Sequence, residues 1–197
     1  MFHLTFNCSI HIHKRANSMS NSFIIKLVNF LWFQTIWWLV VLYQSTFLVL
    51  VLGLLIAWLV YSPLRKSDGK IMIAVLLLGT VVDSLLMLTG VFSFERGAWF
   101  SGGASHWIVP IWLVCLWAAL GGSIQHSLSV FANKPWLAMI GGAVFAPLSY
   151  FGGQKFGAVN FGYSPLITLF ILTLVWGVVF PVCFLLAKKL SAHDEQD

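Results

Sequence analysis

A single carboxylate in an otherwise uncharged apolar stretch is the sharpest chemical feature of this sequence. Asp83 is the only charged residue within Ile71–Phe94, and a carboxylate in hydrocarbon is costly unless it is paired, protonated or hydrated. Two interpretations stay open: a proton, cation or general acid–base site, and a neutral carboxyl that hydrogen-bonds inside a helix bundle. At the same depth the helical rise places Gln34 and Tyr150, which we expect as its hydrogen-bond partners.

A second polar group is predicted near the end of the uncharged stretch that precedes Lys134. Gln125, His126 and Ser127 follow one another there, and the helical rise places Asn29 at a similar depth. Together they could form a polar pocket open to the cytoplasm. We favour an interfacial histidine with its ring among lipid headgroups, because one histidine without a second ligand is no metal site. We expect no contact between His126 and Asp83, which lie about 18 Å apart in depth.

Composition excludes most soluble classes of protein. Of 197 residues, 59% are hydrophobic and only 9% are charged, whereas soluble domains carry about 25% charged residues. This excludes a disordered chain, a disulfide scaffold and a nucleic-acid-binding domain. The sequence contains no zinc-protease, phosphate-loop or paired-cysteine motif and few acidic residues, so we predict neither a metal site nor a cofactor, and no catalytic residue is assigned.

Long stretches without charged residues predict six membrane spans. One span needs about 20 apolar residues to cross about 30 Å of hydrocarbon. The first stretch, Leu27–Leu64, is nearly twice that length, so we divide it at Tyr43-Gln44-Ser45. The predicted spans are Phe23–Leu42, Thr46–Tyr61, Ile71–Phe92, Trp107–Leu128, Pro135–Gly152 and Pro165–Ala187.

The distribution of basic residues predicts the orientation. Of the 11 Lys and Arg residues, only Arg96 and Lys155 fall in the predicted outer loops, which favours both termini in the cytoplasm. We therefore expect an all-α integral membrane bundle of about six helices, with one transmembrane domain at 23–190 and a cytoplasmic tail at 191–197. Residues 1–22 are predicted to be a disordered leader, and the lack of a continuous apolar core in Met1–Ser18 excludes a secretory signal peptide. Met19-Ser-Asn-Ser followed by Phe23-Ile-Ile-Lys is typical of a natural start, so we expect translation to begin at Met19.

The chain also carries a series of short motifs in a recognisable order. They are Asn29-Phe-Leu-Trp-Phe-Gln34, Asp83-Ser-Leu-Leu, Pro110-Ile-Trp-Leu, His126-Ser-Leu128, Lys134-Pro-Trp-Leu, Pro147-Leu-Ser-Tyr150 and Gly157-Ala-Val159. In this order they resemble the family of bacterial membrane proteins called domain of unknown function 2878. The similarity covers about Leu27 to Ala187, and the segment before Met19 has no counterpart in it.

The resemblance implies a small multi-pass protein of the bacterial inner membrane without an assigned activity. Genes of the family often neighbour lipid-modifying enzymes of the cyclopropane fatty acid synthase kind. The expected partners are therefore membrane lipids and a membrane-bound lipid-modifying enzyme, and not nucleic acid. No catalytic residue can be carried over, although Asp83, His126, Gln34 and Tyr150 match polar positions of the family.

Three functions fit these observations. The first is a non-enzymatic accessory or lipid-handling membrane protein with a polar site around Asp83. The second is a small proton-coupled transporter or exporter in which Asp83 changes its protonation state. The third is an intramembrane lipid-modifying enzyme that uses Asp83 or the His126 cluster as acid and base.

Overall fold

The described part of the chain is almost entirely helical. The computed structural model describes the backbone of residues 2–94 and 107–194 and the side chains of residues 22–94 and 107–192. The helices are α1 (Phe2–Tyr43), α2 (Leu48–Tyr61), α3 (Arg65–Leu88), α4 (Ile111–Gly121), α5 (Pro135–Lys155) and α6 (Pro165–Asp194). Two short strands, β1 (Phe92–Ser93) and β2 (Asn160–Phe161), pair antiparallel and join two loops.

Helix α1 ends at Tyr43, where the sequence analysis divided the first apolar stretch. A short 3-10 helix at Gln44–Phe47 follows. Gln44 has a backbone φ of 51°, which residues other than glycine rarely adopt. At its other end α1 begins at Phe2, and the disordered leader expected at 1–22 stays a prediction. Neither glycine nor proline occurs within the helix to interrupt its hydrogen bonding. A translation start at Met19 stays a prediction.

Four helices in the described residues are long and apolar enough to cross a membrane. They are the segments Ser22–Tyr43, Arg65–Leu88, Pro135–Lys155 and Pro165–Ala192. The 14 residues of α2 and the 11 residues of α4 correspond to about 21 Å and about 17 Å, which is less than the hydrocarbon thickness of about 30 Å. The six-span count and the cytoplasmic position of both termini therefore stay predictions.

The fourth predicted span, Trp107–Leu128, contains a helix that is much shorter than expected. Helix α4 ends at Gly121, and the chain continues through consecutive turns to a 3-10 helix at Ser129–Phe131. Glycine and serine at 121–123 are poor helix formers, which explains the early end. A Cβ on Gly121 would lie 2.7 Å from the Met72 backbone, so the end of α4 packs directly on α3.

Close helix contacts form the interior, whereas the outer faces are apolar. A Cβ on Gly142 would lie 2.3 Å from the Trp176 carbonyl oxygen, so α5 and α6 approach backbone to backbone. Large apolar side chains such as Val49 and Leu166 are strongly exposed, while Asn29, Asp68, Asp83 and His126 are buried. Apolar side chains on the outer surface and polar side chains in the interior are the arrangement expected of a helix bundle surrounded by lipid.

Candidate functional site

Asp83 joins three helices through its carboxylate. The side chain is fully buried on α3. Its Oδ2 accepts a hydrogen bond from Nε1 of Trp117 on α4, and its Oδ1 accepts one from the hydroxyl of Tyr150 on α5, both at 2.6 Å. Because each carboxylate oxygen has a donor, hydrogen bonds offset part of the cost of burying the group.

The position of Trp117 follows from a glycine one turn before the aspartate. Gly79 precedes Asp83 by four residues, and a Cβ there would lie only 1.7 Å from the indole of Trp117. The missing side chain leaves room for the ring, and the carboxylate one turn further receives its N–H. The other face of Trp117 stacks on Trp176 of α6, with ring centroids 4.8 Å apart.

The structure brings together only some of the residues expected around Asp83. Tyr150 is a partner, as expected. Gln34 is not, because it lies on α1 in the wall of a cavity, and the two carboxylate oxygens are bound by other residues. Sequence reasoning missed Trp117, although the glycine four residues before a buried acid was a signal for a large neighbouring ring.

A cavity of about 540 Å³ lies between α1, α4, α5 and α6. Its wall is mostly aromatic and aliphatic and includes Trp117 and Tyr150, so Asp83 lies directly behind that wall. Three lining residues have large exposed fractions: Phe30 of α1 at 50%, and Phe145 and Leu148 of α5 at 66% and 59%. The cavity therefore opens sideways between α1 and α5, toward the medium that surrounds the apolar helices.

The cavity is long and has few polar groups. Its lining residues on α5 run from Gly141 to Gly153, which corresponds to about 18 Å along the helix. Nε1 of Trp37 donates a 2.7 Å hydrogen bond to Oγ of Ser149, which connects α1 to α5 beside the cavity. A volume within the usual range of ligand pockets and a largely apolar wall suit a molecule with a hydrocarbon chain.

In the second predicted cluster, the side chain of Asn29 hydrogen-bonds to Gly122 and Ser127 in the irregular backbone that follows α4, and we call these contacts the clamp. Nδ2 of Asn29 donates to the Gly122 carbonyl at 3.1 Å. Oδ1 accepts from the Ser127 backbone N–H at 3.1 Å and from its Oγ at 2.6 Å. Gln125 points elsewhere and donates to Ser191 of α6 at 2.7 Å. The four predicted residues therefore do not form one open pocket.

His126 is buried and paired with an acid that the sequence analysis missed. Its side chain is 4% exposed, and Nε2 lies 2.8 Å from Oδ2 of Asp68 on α3. The headgroup position expected for His126 is therefore wrong, whereas the absence of a contact with Asp83 agrees with the prediction. Asp68, Val75, Gly79 and Asp83 are all buried on α3 at helical spacing, and this periodicity was the available signal for Asp68.

The geometry around Asp68 does not support nucleophilic catalysis. Oγ of Ser62 donates to the same Oδ2 atom of Asp68 and lies 3.5 Å from Nε2 of His126. In a serine triad the hydroxyl and the carboxylate contact opposite nitrogens of the imidazole, but here both face one nitrogen. Among the described side chains, no three His, Cys, Asp or Glu residues lie close enough to hold a metal ion.

The fold and these sites define an all-helical protein whose longest helices are suited to a membrane. The model of the family described as "Protein of unknown function (DUF2878)" matches residues 26–182, and the chain belongs to this family. The resemblance drawn from the short motifs is thereby confirmed. Neither the curated proteins nor the solved structures contain a match to the chain.

Proposed function

We propose that this protein is a lipid-handling accessory protein of the bacterial inner membrane, and that it takes one acyl chain of a membrane lipid into the cavity between α1 and α5. The observation that carries this proposal is the sideways opening of the cavity, whose rim residues Phe145 and Leu148 are largely exposed on an apolar helix face. A chain can enter through such an opening without leaving hydrocarbon. The bound lipid is then available to a membrane-bound lipid-modifying enzyme.

The polar groups around the cavity supply selectivity. Moving a chain from the bilayer into an apolar cavity gains no hydrophobic free energy, because lipid tails are as apolar as the protein interior. Affinity must then come from packing against the rigid aromatic wall and from contacts with the few polar groups. In this proposal Asp83 is a positioning residue, because it fixes the wall residues Trp117 and Tyr150 from behind.

Native mass spectrometry of the purified protein tests the proposal. We expect one lipid to remain bound to the wild type after release from detergent. Ala146→Trp should displace it, because Ala146 lines the cavity. Val144→Trp is the matched control, since Val144 lies on the exposed face of the same helix and does not line the cavity. Equal lipid retention by both variants, or none by the wild type, would overturn the proposal.

A proton-coupled transporter is the second candidate, and the complete burial of Asp83 favours it. Among the described side chains no cation lies within ion-pair distance of this carboxylate, so protonation could change its state. Against it, the buried face of α3 between Asp68 and Asp83 carries Ile71, Val75 and Gly79, which cannot relay a proton. Proteoliposomes with a proton gradient test this candidate. Solute transport by the wild type that is abolished in Asp83→Asn would favour transport over lipid handling.

A further inference from the structure

One end of the bundle concentrates the cationic side chains. Three contacts define this end. Asn29 of α1 bonds to Ser127 in the segment before α5, and His126 of that segment bonds to Asp68 near the start of α3. Ser67, also near the start of α3, bonds to Ser191 near the end of α6. We call this end of the bundle the basic end. The described cations near it are Lys26, Arg65, Lys66, Lys70, Lys134, Lys188 and Lys189.

Two of these cations belong to the helices that border the cavity opening. Lys26 precedes the lining residues Phe30 and Phe33 by four and seven residues, so it shares their face of α1. Lys134 directly precedes α5 and follows the lining residue Phe131 by three positions. Both lysines are exposed. They therefore lie beside the basic end of the cavity opening.

The elements that border this end of the opening carry basic but no acidic residues. Neither α1, nor α5, nor the segment 122–134 between α4 and α5 contains Asp or Glu. At the opposite end of α5, the ammonium group of Lys155 lies 5.1 Å from the ring centre of Phe151, which does not line the cavity. Seven of the eight Lys and Arg residues with described side chains therefore lie at the basic end.

We propose that Lys26 and Lys134 bind the phosphate of an anionic phospholipid whose acyl chain occupies the cavity. This inference rests on the proposed function and names its ligand class. A lipid with one net negative charge is attracted by both ammonium groups, whereas a zwitterionic lipid carries its own cation beside the phosphate. The chain length within the cavity and the headgroup charge at its end then select the ligand together.

Competition between two lipids of identical acyl chains tests the inference. The protein is equilibrated with equal amounts of phosphatidylglycerol and phosphatidylcholine, and the retained lipids are counted by native mass spectrometry. We expect the wild type to prefer phosphatidylglycerol about thirtyfold, as two lysines near a headgroup predict. Lys26→Gln with Lys134→Gln should remove the preference while the total amount of bound lipid stays the same.

Arg65→Gln with Lys66→Gln is the matched control. It removes two exposed charges from the same end, but from α3, which contributes no lining residue. It should keep the preference of about thirtyfold. An equal loss of preference in both double variants, or its retention in the Lys26 and Lys134 variant, would overturn the headgroup site and leave the proposed function standing. Failure of the proposed function shows differently, as a wild type that retains neither lipid.

Discussion

At the scale of single residues, the central feature is a carboxylate whose two oxygens fix two aromatic side chains. Asp83 accepts hydrogen bonds from Trp117 and Tyr150 on two other helices, and Gly79 makes room for the indole. The same two aromatic side chains form part of the cavity wall. The buried acid therefore acts on the shape of the cavity without lining it.

Replacing Asp83 separates its hydrogen bonding from its charge. Asp83→Leu leaves the indole N–H of Trp117 and the hydroxyl of Tyr150 unpaired, which should cost about 1–3 kcal/mol for each group. Asp83→Asn can still accept from Trp117 and donate to the oxygen of Tyr150, so it should cost about 1 kcal/mol or less. Thermal unfolding in detergent measures both. Equal destabilisation by the two variants would show that the charge itself stabilises the fold.

Gly79→Ala tests the fit between α3 and α4. The added methyl group would lie within 2.2 Å of the Trp117 ring, so the indole must move, at an expected cost of about 1–3 kcal/mol. Gly53→Ala is the matched control, because nothing lies within 4 Å of a Cβ there, and alanine favours a helix by about 1 kcal/mol. We expect a lower melting temperature for the first variant only. No change at Gly79 would contradict the close contact.

At the scale of elements, the short α4 determines the arrangement of the basic end. The turns that follow Gly121 have backbone groups without helical partners, and the side chain of Asn29 satisfies two of them, while a second side-chain pair ties the same turns to α3. Asn29 of α1 binds the Gly122 carbonyl and the Ser127 N–H, while His126 binds Asp68 of α3. Irregular backbone in an apolar surrounding is stable only when protein groups satisfy it, so the contacts of Asn29 stabilise these turns.

Asn29→Ala should destabilise this end of the bundle strongly. It removes a donor and an acceptor at once and leaves the Gly122 carbonyl and the Ser127 N–H unpaired, at about 1–3 kcal/mol for each. Thr35→Val is a control on the same helix, because its hydroxyl bonds only to the Leu31 carbonyl on an exposed face. Hydrogen exchange of the 122–128 amides should rise in the first variant alone. Unchanged exchange there would contradict the clamp.

The Asp68–His126 pair predicts a strong coupling between two mutations. Removing one partner leaves a buried polar group alone, so Asp68→Leu and His126→Leu should each cost about 3–5 kcal/mol. The double variant should cost less than the sum of the two, because both polar groups are then absent. A double-mutant cycle in unfolding free energy measures the coupling. Additive effects would show that the two side chains act independently.

At the scale of the whole molecule, the sequence predicts the long helices and the family but not the lateral contacts. The lengths of the apolar runs locate four long helices and the break after Tyr43. Depth along the helices correctly pairs Asp83 with Tyr150. Depth alone does not determine how each helix is rotated about its axis. It therefore could not exclude Gln34 as a partner of Asp83 or identify Trp117 as one.

The start of α3 and the end of α4 depend on local properties that the length of an apolar stretch does not indicate. Helix α3 begins at Arg65, so Asp68 belongs to a helix although its charged neighbours are typical of a loop. Helix α4 ends at Gly121 inside an uncharged stretch, because backbone preference and the partners offered by Asn29 determine that end. Helical spacing from Asp83 could place Asp68 on the buried face of α3, but its contact with His126 could be found only from the packed structure.

Photo-crosslinking with a phospholipid that carries a diazirine midway along one acyl chain tests the central claim most directly. Helix α4 is the diagnostic element, because its residues Trp112, Leu113 and Trp117 line the cavity yet are buried from the surrounding medium. We predict labelled peptides from α4 as well as from the exposed helix faces, with the α4 label lost in Ala146→Trp and kept in Val144→Trp. Labelling confined to exposed faces such as Ile73 and Leu77 would contradict the account.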